Sequence, residues 1–431
     1  MKKALAIVLC AATFLISGGI PACATGDTAV PNEVVIGEIG MGRMEFNGIS
    51  RVFNYYIPST FNGKRMPVVV DIHGSGYNAL SHFQLTNIIE IAEREGFIVI
   101  GPNAVVIHNT ANSASMAMAT YGKFSSEGYD SVPGVAADAM RFNASSLYYG
   151  LTNVEYNGVT YNFDDVGYIL ALVDLFINQG YGDTNRVFAQ GLSSGACMAL
   201  RLAHDAADRF AGVTSVAGLL LYEYNEVVPA DSVKLIFIHS ANDPIVPPGG
   251  MSYNTTLFPA FKPTNGKFAF SLDDSIAWFM NAYYGTTPVQ TGGPVIIPNV
   301  TADARVMTRT EYNDGAVIKY YTTNPGAGHS WPGSNMTVGS IVQMQATELI
   351  WADMKIDLIS ETASACVNKL NGNRNELVVS VTKVYDNGKQ EVVTAKYLIN
   401  NNAAGTYQVD DYRVFVDTKG NTQIRECYIV G

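Results

Sequence analysis

Basic residues are scarce in this sequence of 431 residues. Lysine and arginine number 27 against 38 aspartates and glutamates, which gives a formal net charge of −11. An acidic chain repels the phosphates that a nucleic-acid or anionic-membrane binder has to neutralise, so neither partner is expected. Charged residues make up 15% and hydrophobic residues 48%, without a disordered or collagen-like bias. The length therefore suits one large globular domain with a small one added.

Long hydrophobic runs are also lacking, except at the amino terminus. Two lysines are followed there by an apolar run over residues 4–20 and by Ala22-Cys23-Ala24. This pattern predicts a secretory signal peptide over residues 1–24, and the run is short for a transmembrane helix. We therefore expect an extracellular protein. A bacterial lipoprotein anchor at Cys23 is the alternative.

Cysteine is the third scarce residue, with five in the chain. Three remain after residue 24. Cys197 is expected to be a small buried hydrophobic residue. Cys366 and Cys427 share the terminal region, and an oxidising compartment would allow a disulfide between them, although the sequence does not show their distance.

The chain is organised around Gly191-Leu192-Ser193-Ser194-Gly195, a G-x-S-x-G pattern. An apolar run precedes it and good helix formers follow it. This order predicts a strand, a sharp turn and a helix, with Ser193 exposed at the corner as the candidate nucleophile. We call residues 187–200 the serine elbow.

A serine nucleophile needs a histidine base and a carboxylate, which follow it in the chain order serine, acid, histidine. Of the six histidines, only His329 lies far downstream, in a loop rich in glycine and proline. Asp243 directly follows a predicted buried strand over 233–239, where open α/β sheets carry functional loops. Other carboxylates between serine and histidine, such as Asp208, Asp274 and Asp303, are expected on solvated surfaces.

A second glycine-containing loop follows the apolar strand 67–72. Its sequence is His73-Gly74-Ser75-Gly76. The backbone N–H of Ser75, together with that of Ser194, is expected to form an oxyanion hole, which binds the negative oxygen of a tetrahedral intermediate. The alternative is that His73 only packs and the glycines only form a turn.

Alternating strands and helices from residue 30 to 358 predict a doubly wound, mainly parallel α/β sheet. Predicted elements include a first strand at 35–39, a helix at 85–95 and a strand at 316–322. Residues 104–162 lose the alternation and contain six scattered tyrosines, which suits a substrate surface, although half of them are as readily explained by packing. These tyrosines are Tyr121, Tyr129, Tyr148, Tyr149, Tyr156 and Tyr161.

Residues 359–431 change to a pure β pattern and predict a small C-terminal module. A hairpin is expected between runs at 376–385 and 390–399, where Asn387-Gly388 favours a type I′ turn. A second hairpin is expected around residues 417–421. Binding a polymer, spacing the enzyme from a surface and supporting the main domain all remain open as its role.

Five segments, taken together and in order, resemble the secreted esterase family that contains poly(3-hydroxybutyrate) depolymerases, feruloyl esterases and acetyl xylan esterases. They are residues 68–74, 164–167, 186–195, 242–247 and 328–333. The resemblance covers about residues 40–355 and implies an α/β-hydrolase fold with the triad Ser193, Asp243 and His329. It also suggests that Trp331 lines the substrate cleft. Ser75 stands where many relatives have cysteine, so a disulfide at that loop is missing.

These observations together predict a secreted serine esterase that needs neither a metal nor an organic cofactor. Its expected substrate is a polymer-linked ester, with feruloyl or acetyl groups on plant polysaccharide favoured by the tyrosine-rich stretch. An extracellular poly(3-hydroxybutyrate) depolymerase is the alternative. A secreted binding protein without catalysis is a remote second one, because a fold alone does not define a function.

Overall fold

The structure is a computed structural model. It describes residues 34–75, 77–109, 116–118, 140–142, 144, 154–156, 159–161, 163–252, 266–297, 305–323, 326–334, 345–370, 374–400 and 404–426. The predicted signal peptide with Cys23, most of the tyrosine-rich stretch, Asp303 and Cys427 lie outside these residues. None of the helices within them is long and apolar enough to cross a membrane.

The elements are as follows in chain order. The strands are β1 (Ile39–Phe46), β2 (Ile49–Tyr56), β3 (Met66–Ile72), β4 (Ile98–Pro102), β5 (Val105–Asn109), β6 (Met116–Met118), β7 (Met140–Arg141), β8 (Val154–Tyr156), β9 (Val159–Tyr161), β10 (Gly182–Leu192), β11 (Gly212–Val216), β12 (Lys234–Ser240), β13 (Met251–Ser252), β14 (Lys267–Ala269), β15 (Gln290–Ile297), β16 (Val306–Tyr312), β17 (Val317–Thr323), β18 (Leu358–Lys369), β19 (Arg374–Tyr385), β20 (Gln390–Asn400), β21 (Gly405–Val409), β22 (Tyr412–Val416) and β23 (Thr422–Glu426). The α-helices are α1 (Ala79–Thr86), α2 (Ile88–Glu95), α3 (Asp165–Asn178), α4 (Ser194–Asp205), α5 (Leu272–Tyr284) and α6 (Ala346–Met354).

Ten strands form the central sheet, in the order β1-β2-β4-β3-β10-β11-β12-β17-β16-β15. The strands from β4 to β17 in this order are parallel, and antiparallel strands flank them at both edges. The chain runs outward from β3 first to β4 and then, in the other direction, to β10 and beyond. The predicted α/β-hydrolase sheet is therefore confirmed. The direction in which successive strands are added reverses between β3 and β10, and sheets of this kind bind ligands at such a position.

Helices cover both faces of this sheet. The central strands are buried along almost their whole length, whereas the edge strand β1 alternates between exposed and buried residues, as expected for strands covered on two faces and on one. Tyr168 of α3 and Met198 of α4 pack in the core on one face. Phe83 of α1 and Trp351 of α6 pack in the core on the other face. The serine elbow is thus held between two hydrophobic layers.

Three local predictions need correction. The first strand begins at Ile39 and not at residue 35. The helix predicted at 85–95 is divided into α1 and α2 because Asn87 adopts a left-handed conformation with φ +56°. Short strands β5 to β9 occupy parts of the stretch that lacked a predicted pattern.

The C-terminal module consists of two three-stranded antiparallel sheets, β18-β19-β20 and β21-β22-β23. Their facing apolar residues, among them Val379 and Val414, form a separate core. The hairpin between β19 and β20 is confirmed, but its turn is not type I′. That turn needs two residues with positive φ, and between these strands only Gly388 has one, at +80°.

The module contacts the main domain at the amino ends of the central strands. Arg65, directly before β3, donates from Nε to Asp410 Oδ1 of the module at 3.0 Å. Tyr385 of the module donates from its hydroxyl to Asp183 of β10 at 3.2 Å. Asn185 donates to Glu391 at 2.6 Å. Ser193 lies at the opposite, carboxyl end of β10, so these contacts are remote from the serine elbow. The domain boundary between 358 and 359 stays a prediction.

The two cysteines in the described part of the chain, Cys197 and Cys366, are free thiols. Cys197 is buried, and burial raises the pKa of its thiol to about 11, which keeps it protonated and unreactive. Cys366 is exposed on β18. Its pairing with Cys427 stays a prediction, because Cys427 lies outside the described residues.

Candidate active site

Ser193 stands at a strained corner between β10 and α4. Its φ of +57° and ψ of −118° lie in a region that residues other than glycine rarely adopt. A Cβ on Gly191 would lie 2.3 Å from the carbonyl oxygen of Gly195, and one on Gly195 would lie 2.2 Å from that of Ile72. The two glycines therefore permit the close approach of strand and helix that holds Ser193 in this conformation.

His329 and Asp243 form a direct hydrogen bond, from Nδ1 to Oδ2, at 2.8 Å. A carboxylate only accepts hydrogen bonds, so Nδ1 carries a proton, and in the neutral imidazole Nε2 is then the acceptor. A general base that takes the hydroxyl proton of serine needs this tautomer. The His329 side chain is 13% exposed and the Asp243 side chain is completely buried.

The Asp243 carboxylate is held by several donors. Its Oδ1 accepts from the backbone N–H of Ile245 at 2.9 Å and of Val246 at 2.8 Å. Burial by itself raises the pKa of this carboxyl, but the hydrogen bond from His329 and these two backbone donors outweigh burial and hold the pKa below its usual value. Asp243 is therefore an anion when it faces the imidazole.

A second histidine, His239 at the end of β12, lies behind Asp243. Its Nε2 is 3.8 Å from Asp243 Oδ2 and donates to the carbonyl oxygen of Val246 at 2.8 Å. Burial lowers the pKa of His239, so the ring is neutral and supports the loop after β12.

The loop after β3 lies beside the serine elbow because β3 and β10 are parallel neighbours, with Ile72 opposite Gly191. Ser75 Oγ donates to Ser194 Oγ at 2.9 Å. A Cβ on Gly74 would lie 3.4 Å from Ser193 Cβ. The two residues predicted for the oxyanion hole are thus brought together, and Ser194 begins α4, whose amino end favours negative charge. Their role as N–H donors stays a prediction.

His73 is completely buried and has a structural role. Its Nδ1 contacts the carbonyl oxygen of Gly74 at 2.8 Å, and its Nε2 accepts from the N–H of Ala104 at 3.1 Å. Burial lowers the pKa of His73 to about 3, so the ring is neutral. The alternative that His73 packs is the correct one for this side chain.

Trp331 does not line a cleft, contrary to the prediction. Its side chain is completely buried, with Nε1 donating to Thr347 Oγ1 at 3.2 Å. Its ring centroid is 5.7 Å from that of His82, in an edge-on arrangement. The residue turns inward because an apolar core layer lies beneath the loop that carries His329.

A polar layer that the sequence analysis missed lies inside the same region. Asp71 of β3 is completely buried and accepts from Gln190 Nε2 of β10 at 2.8 Å and from Thr86 Oγ1 of α1 at 3.1 Å. These bonds connect the strand before the oxyanion loop, the elbow strand and a helix. The sequence signal for this polar layer was the carboxylate of Asp71 within an otherwise apolar strand.

The alternative carboxylates Asp208 and Asp274 are exposed, as expected. No group of three or more His, Cys, Asp or Glu side chains suited to a metal ion occurs in the part of the chain that the structure describes.

Comparisons with known proteins agree with a hydrolase of this fold. The prolyl oligopeptidase family matches residues 156–225, which include the serine elbow. The "Putative esterase NocK" of Nocardia uniformis subsp. tsuyamanensis is 30% identical over 197 residues, which are 45% of this chain and 57% of that protein. The chain thus spans a little over half the length of this relative.

Two solved structures are distantly similar to this chain. An acetyl xylan esterase from Aspergillus awamori is 15% identical, with a TM-score of 0.43, and covers 73% of this chain and 98% of its own. The S-formylglutathione hydrolase FrmB from Staphylococcus aureus is 12% identical, with a TM-score of 0.31, and covers 48% of this chain and 81% of its own. Likeness this distant says nothing about a substrate.

Proposed function

We propose that the protein is a secreted serine carboxylic ester hydrolase with the triad Ser193, His329 and Asp243. The proposal is carried by two features that the structure shows: a strained serine elbow, and a histidine whose Nδ1 is bonded to a buried carboxylate at 2.8 Å. The match to the prolyl oligopeptidase family over the elbow and the similarity to an esterase support it.

The reaction follows from the tautomer of His329. Nε2 takes the proton of the Ser193 hydroxyl as its oxygen attacks the ester carbonyl, and the carbonyl oxygen becomes an oxyanion. The N–H groups of Ser75 and Ser194 bind that oxyanion, and loss of one such donor typically raises the barrier by roughly 3 kcal/mol. His329 then gives the proton to the departing alcohol, which leaves an acyl-enzyme at Ser193. Water attacks this ester by the same proton transfers and releases the acid.

The proposed substrate is a polymer-linked ester outside the cell. Secretion rests on the signal-peptide pattern of residues 1–24, with lipid anchoring at Cys23 as the alternative. We favour feruloyl or acetyl esters of plant polysaccharide because the stretch 104–162 is rich in tyrosine, and aromatic rings stack on a feruloyl ring or on a sugar. With Trp331 buried, this stretch is the remaining support, and poly(3-hydroxybutyrate) is the alternative substrate.

Replacement of the nucleophile tests the enzyme class. Ser193→Ala is expected to fold and to lose hydrolysis of p-nitrophenyl acetate, because triad removal leaves only about 10³- to 10⁴-fold catalysis over water. A fluorophosphonate probe should label the wild type and not this variant. Ser364→Ala, at an exposed serine of the module, is the matched control and should keep both properties. Hydrolysis by Ser193→Ala at the wild-type rate would disprove the assignment, and inactivity of the wild type would favour a binding protein.

A panel of substrates tests the ester class. The wild type should release ferulate from methyl ferulate, measured as kcat/KM, or acetate from acetylated xylan. Release of 3-hydroxybutyrate from amorphous poly(3-hydroxybutyrate), with neither of the other acids, would replace the favoured substrate and leave the triad unaffected. A prolyl p-nitroanilide belongs in the panel because of the family match, and its cleavage in place of the esters would overturn the esterase proposal.

A further inference from the structure

We propose that Ser240 and Asn242 are positioning residues that clamp the loop of the catalytic histidine to the loop of the catalytic acid. The acid loop is defined as residues 240–246, which begin at the last residue of β12, and the histidine loop as residues 326–334, after β17. The backbone N–H of Ala327 donates to Ser240 Oγ at 2.7 Å, and that of Gly328 donates to Asn242 Oδ1 at 2.8 Å.

These bonds form a continuous series with the bond of the proposed triad. Three successive residues of the histidine loop, Ala327, Gly328 and His329, donate to three side chains of the acid loop. The third of these bonds is the one from His329 to Asp243. The segment that supplies the acid therefore also fixes the backbone from which the imidazole extends.

The clamp is connected internally. Ser240 Oγ donates to Asn242 Oδ1 at 2.8 Å while it accepts from Ala327. Asn242 Oδ1 thus accepts two hydrogen bonds, which identifies it as the oxygen and fixes the orientation of the amide. Asn242 is exposed and Ser240 is buried. An exposed asparagine held in this way is not explained by core packing.

The histidine loop is shaped to receive these two side chains. Gly326 has a φ of +93°, and a Cβ there would lie 2.2 Å from Asn242 Oδ1 and 2.8 Å from Ser240 Oγ. Ser330 Oγ closes the loop on its other side by donating to the carbonyl oxygen of Ala327 at 2.8 Å. Contact with the clamp therefore requires a glycine at position 326.

The inference rests on the proposed function, because a positioning effect matters only if His329 transfers protons. A displacement of about 1 Å in a reacting group lowers rates by roughly 10²-fold. Without its acceptor at residue 242, the histidine loop keeps one of its two clamp bonds. Proton transfer, and with it kcat, should then slow. Binding of substrate does not depend on these bonds, so KM should change little.

The test measures kcat and KM for p-nitrophenyl acetate in the full-length chain. Asn242→Ala should lower kcat by about 10- to 100-fold with little change in KM. Asn242→Asp keeps an oxygen acceptor for Gly328 and Ser240 and should recover most of the lost kcat. Asn62→Ala is the matched control, because the exposed Asn62 accepts from the N–H of Lys64 at 3.1 Å in the loop before β3, at the end of the sheet opposite to Ser193, and it should leave kcat unchanged.

A second measurement does not depend on turnover. The Nδ1 proton between His329 and Asp243 should give a far-downfield proton NMR resonance in the wild type, assigned by its loss in Asp243→Asn. Asn242→Ala should broaden or remove this resonance, and Asn242→Asp should restore it.

Two results would overturn the inference. The first is an Asn242→Ala variant that keeps both kcat and the resonance. The second is a loss of kcat that Asn242→Asp does not recover and that parallels a fall in melting temperature. If the wild type hydrolyses none of the esters, the proposed function fails, and the resonance alone decides whether Asn242 positions His329.

Discussion

His329 Nδ1 lies 2.8 Å from Asp243 Oδ2 although 86 residues separate the two along the chain. They meet because β12 and β17 are parallel neighbours, with Ser240 opposite Thr322. Loops that leave the carboxyl ends of two adjacent parallel strands begin side by side. The sheet thus creates the pair, and the clamp from Ser240 and Asn242 sets its fine geometry.

Replacement of Asp243 should separate its proposed catalytic role from its contribution to stability. Asp243→Asn is expected to lower kcat by about 10⁴-fold, because an amide no longer selects the required tautomer. In the wild type the lowered pKa of Asp243 contributes stability above the unfolded pKa of about 3.9, and this contribution is lost as the pH falls through the folded pKa.

The free energy of unfolding in urea, measured from pH 7 downward, checks the second part. The difference between wild type and Asp243→Asn should narrow as the pH falls below about 4. Asp208→Asn, at an exposed carboxylate, is the control and should keep wild-type kcat. A constant difference across this range would contradict the stabilising role of the carboxylate.

The backbone strain at Ser193 should be measurable as a difference in the free energy of unfolding between variants. A residue other than glycine in such a conformation lowers the stability of the folded protein by about 1–3 kcal/mol, and glycine avoids this strain. Glycine in turn favours the unfolded state by about 0.5–1 kcal/mol, because it loses more backbone freedom on folding. Ser193→Gly should therefore be more stable than Ser193→Ala by about 1 kcal/mol in chemical denaturation, with both variants inactive. Equal stability of the two would show that the corner is unstrained.

Trp331 should affect stability and not substrate choice, since it is buried. Trp331→Phe removes the hydrogen bond to Thr347 and should lower the free energy of unfolding by about 1 kcal/mol, whereas Trp331→Ala should lower it by about 3–5 kcal/mol. In Trp331→Phe the ratio of kcat/KM for methyl ferulate to that for p-nitrophenyl acetate should equal the wild-type ratio. A changed ratio at unchanged stability would show that Trp331 affects substrate choice and contradict its purely structural role.

The C-terminal module should be removable without loss of the chemistry. A chain that ends at Asp357 is expected to stay soluble and to hydrolyse p-nitrophenyl acetate with nearly the full-length kcat, because the module contacts the ends of β3 and β10 that are remote from Ser193. Its melting temperature should be lower, since Arg65 and Asp183 lose their partners in the module. Aggregation, or a large loss of kcat, would show that the module completes the main domain.

Features set by neighbouring residues could be predicted from the sequence. The glycines around Ser193, the apolar runs of the central strands and the turn residues after them all act over a few positions, so the serine elbow and the sheet class followed directly. Chain order then identified Asp243 and His329 as candidates. The predictions of one continuous helix at 85–95 and of a type I′ turn at Asn387-Gly388 were wrong in detail, because the backbone conformation of a single residue decides each of them.

What the sequence determined by itself was therefore the α/β-hydrolase order of strands and helices, the candidate nucleophile and the most suitable acid and base. Tertiary structure alone decided that Trp331 is buried, that Ser240 and Asn242 hold the histidine loop and that the module lies away from the serine elbow. The physical reason is that burial and side-chain hydrogen bonds depend on which distant segments meet. That outcome is set by the packing of the whole sheet and its helices and not by any local run of residues.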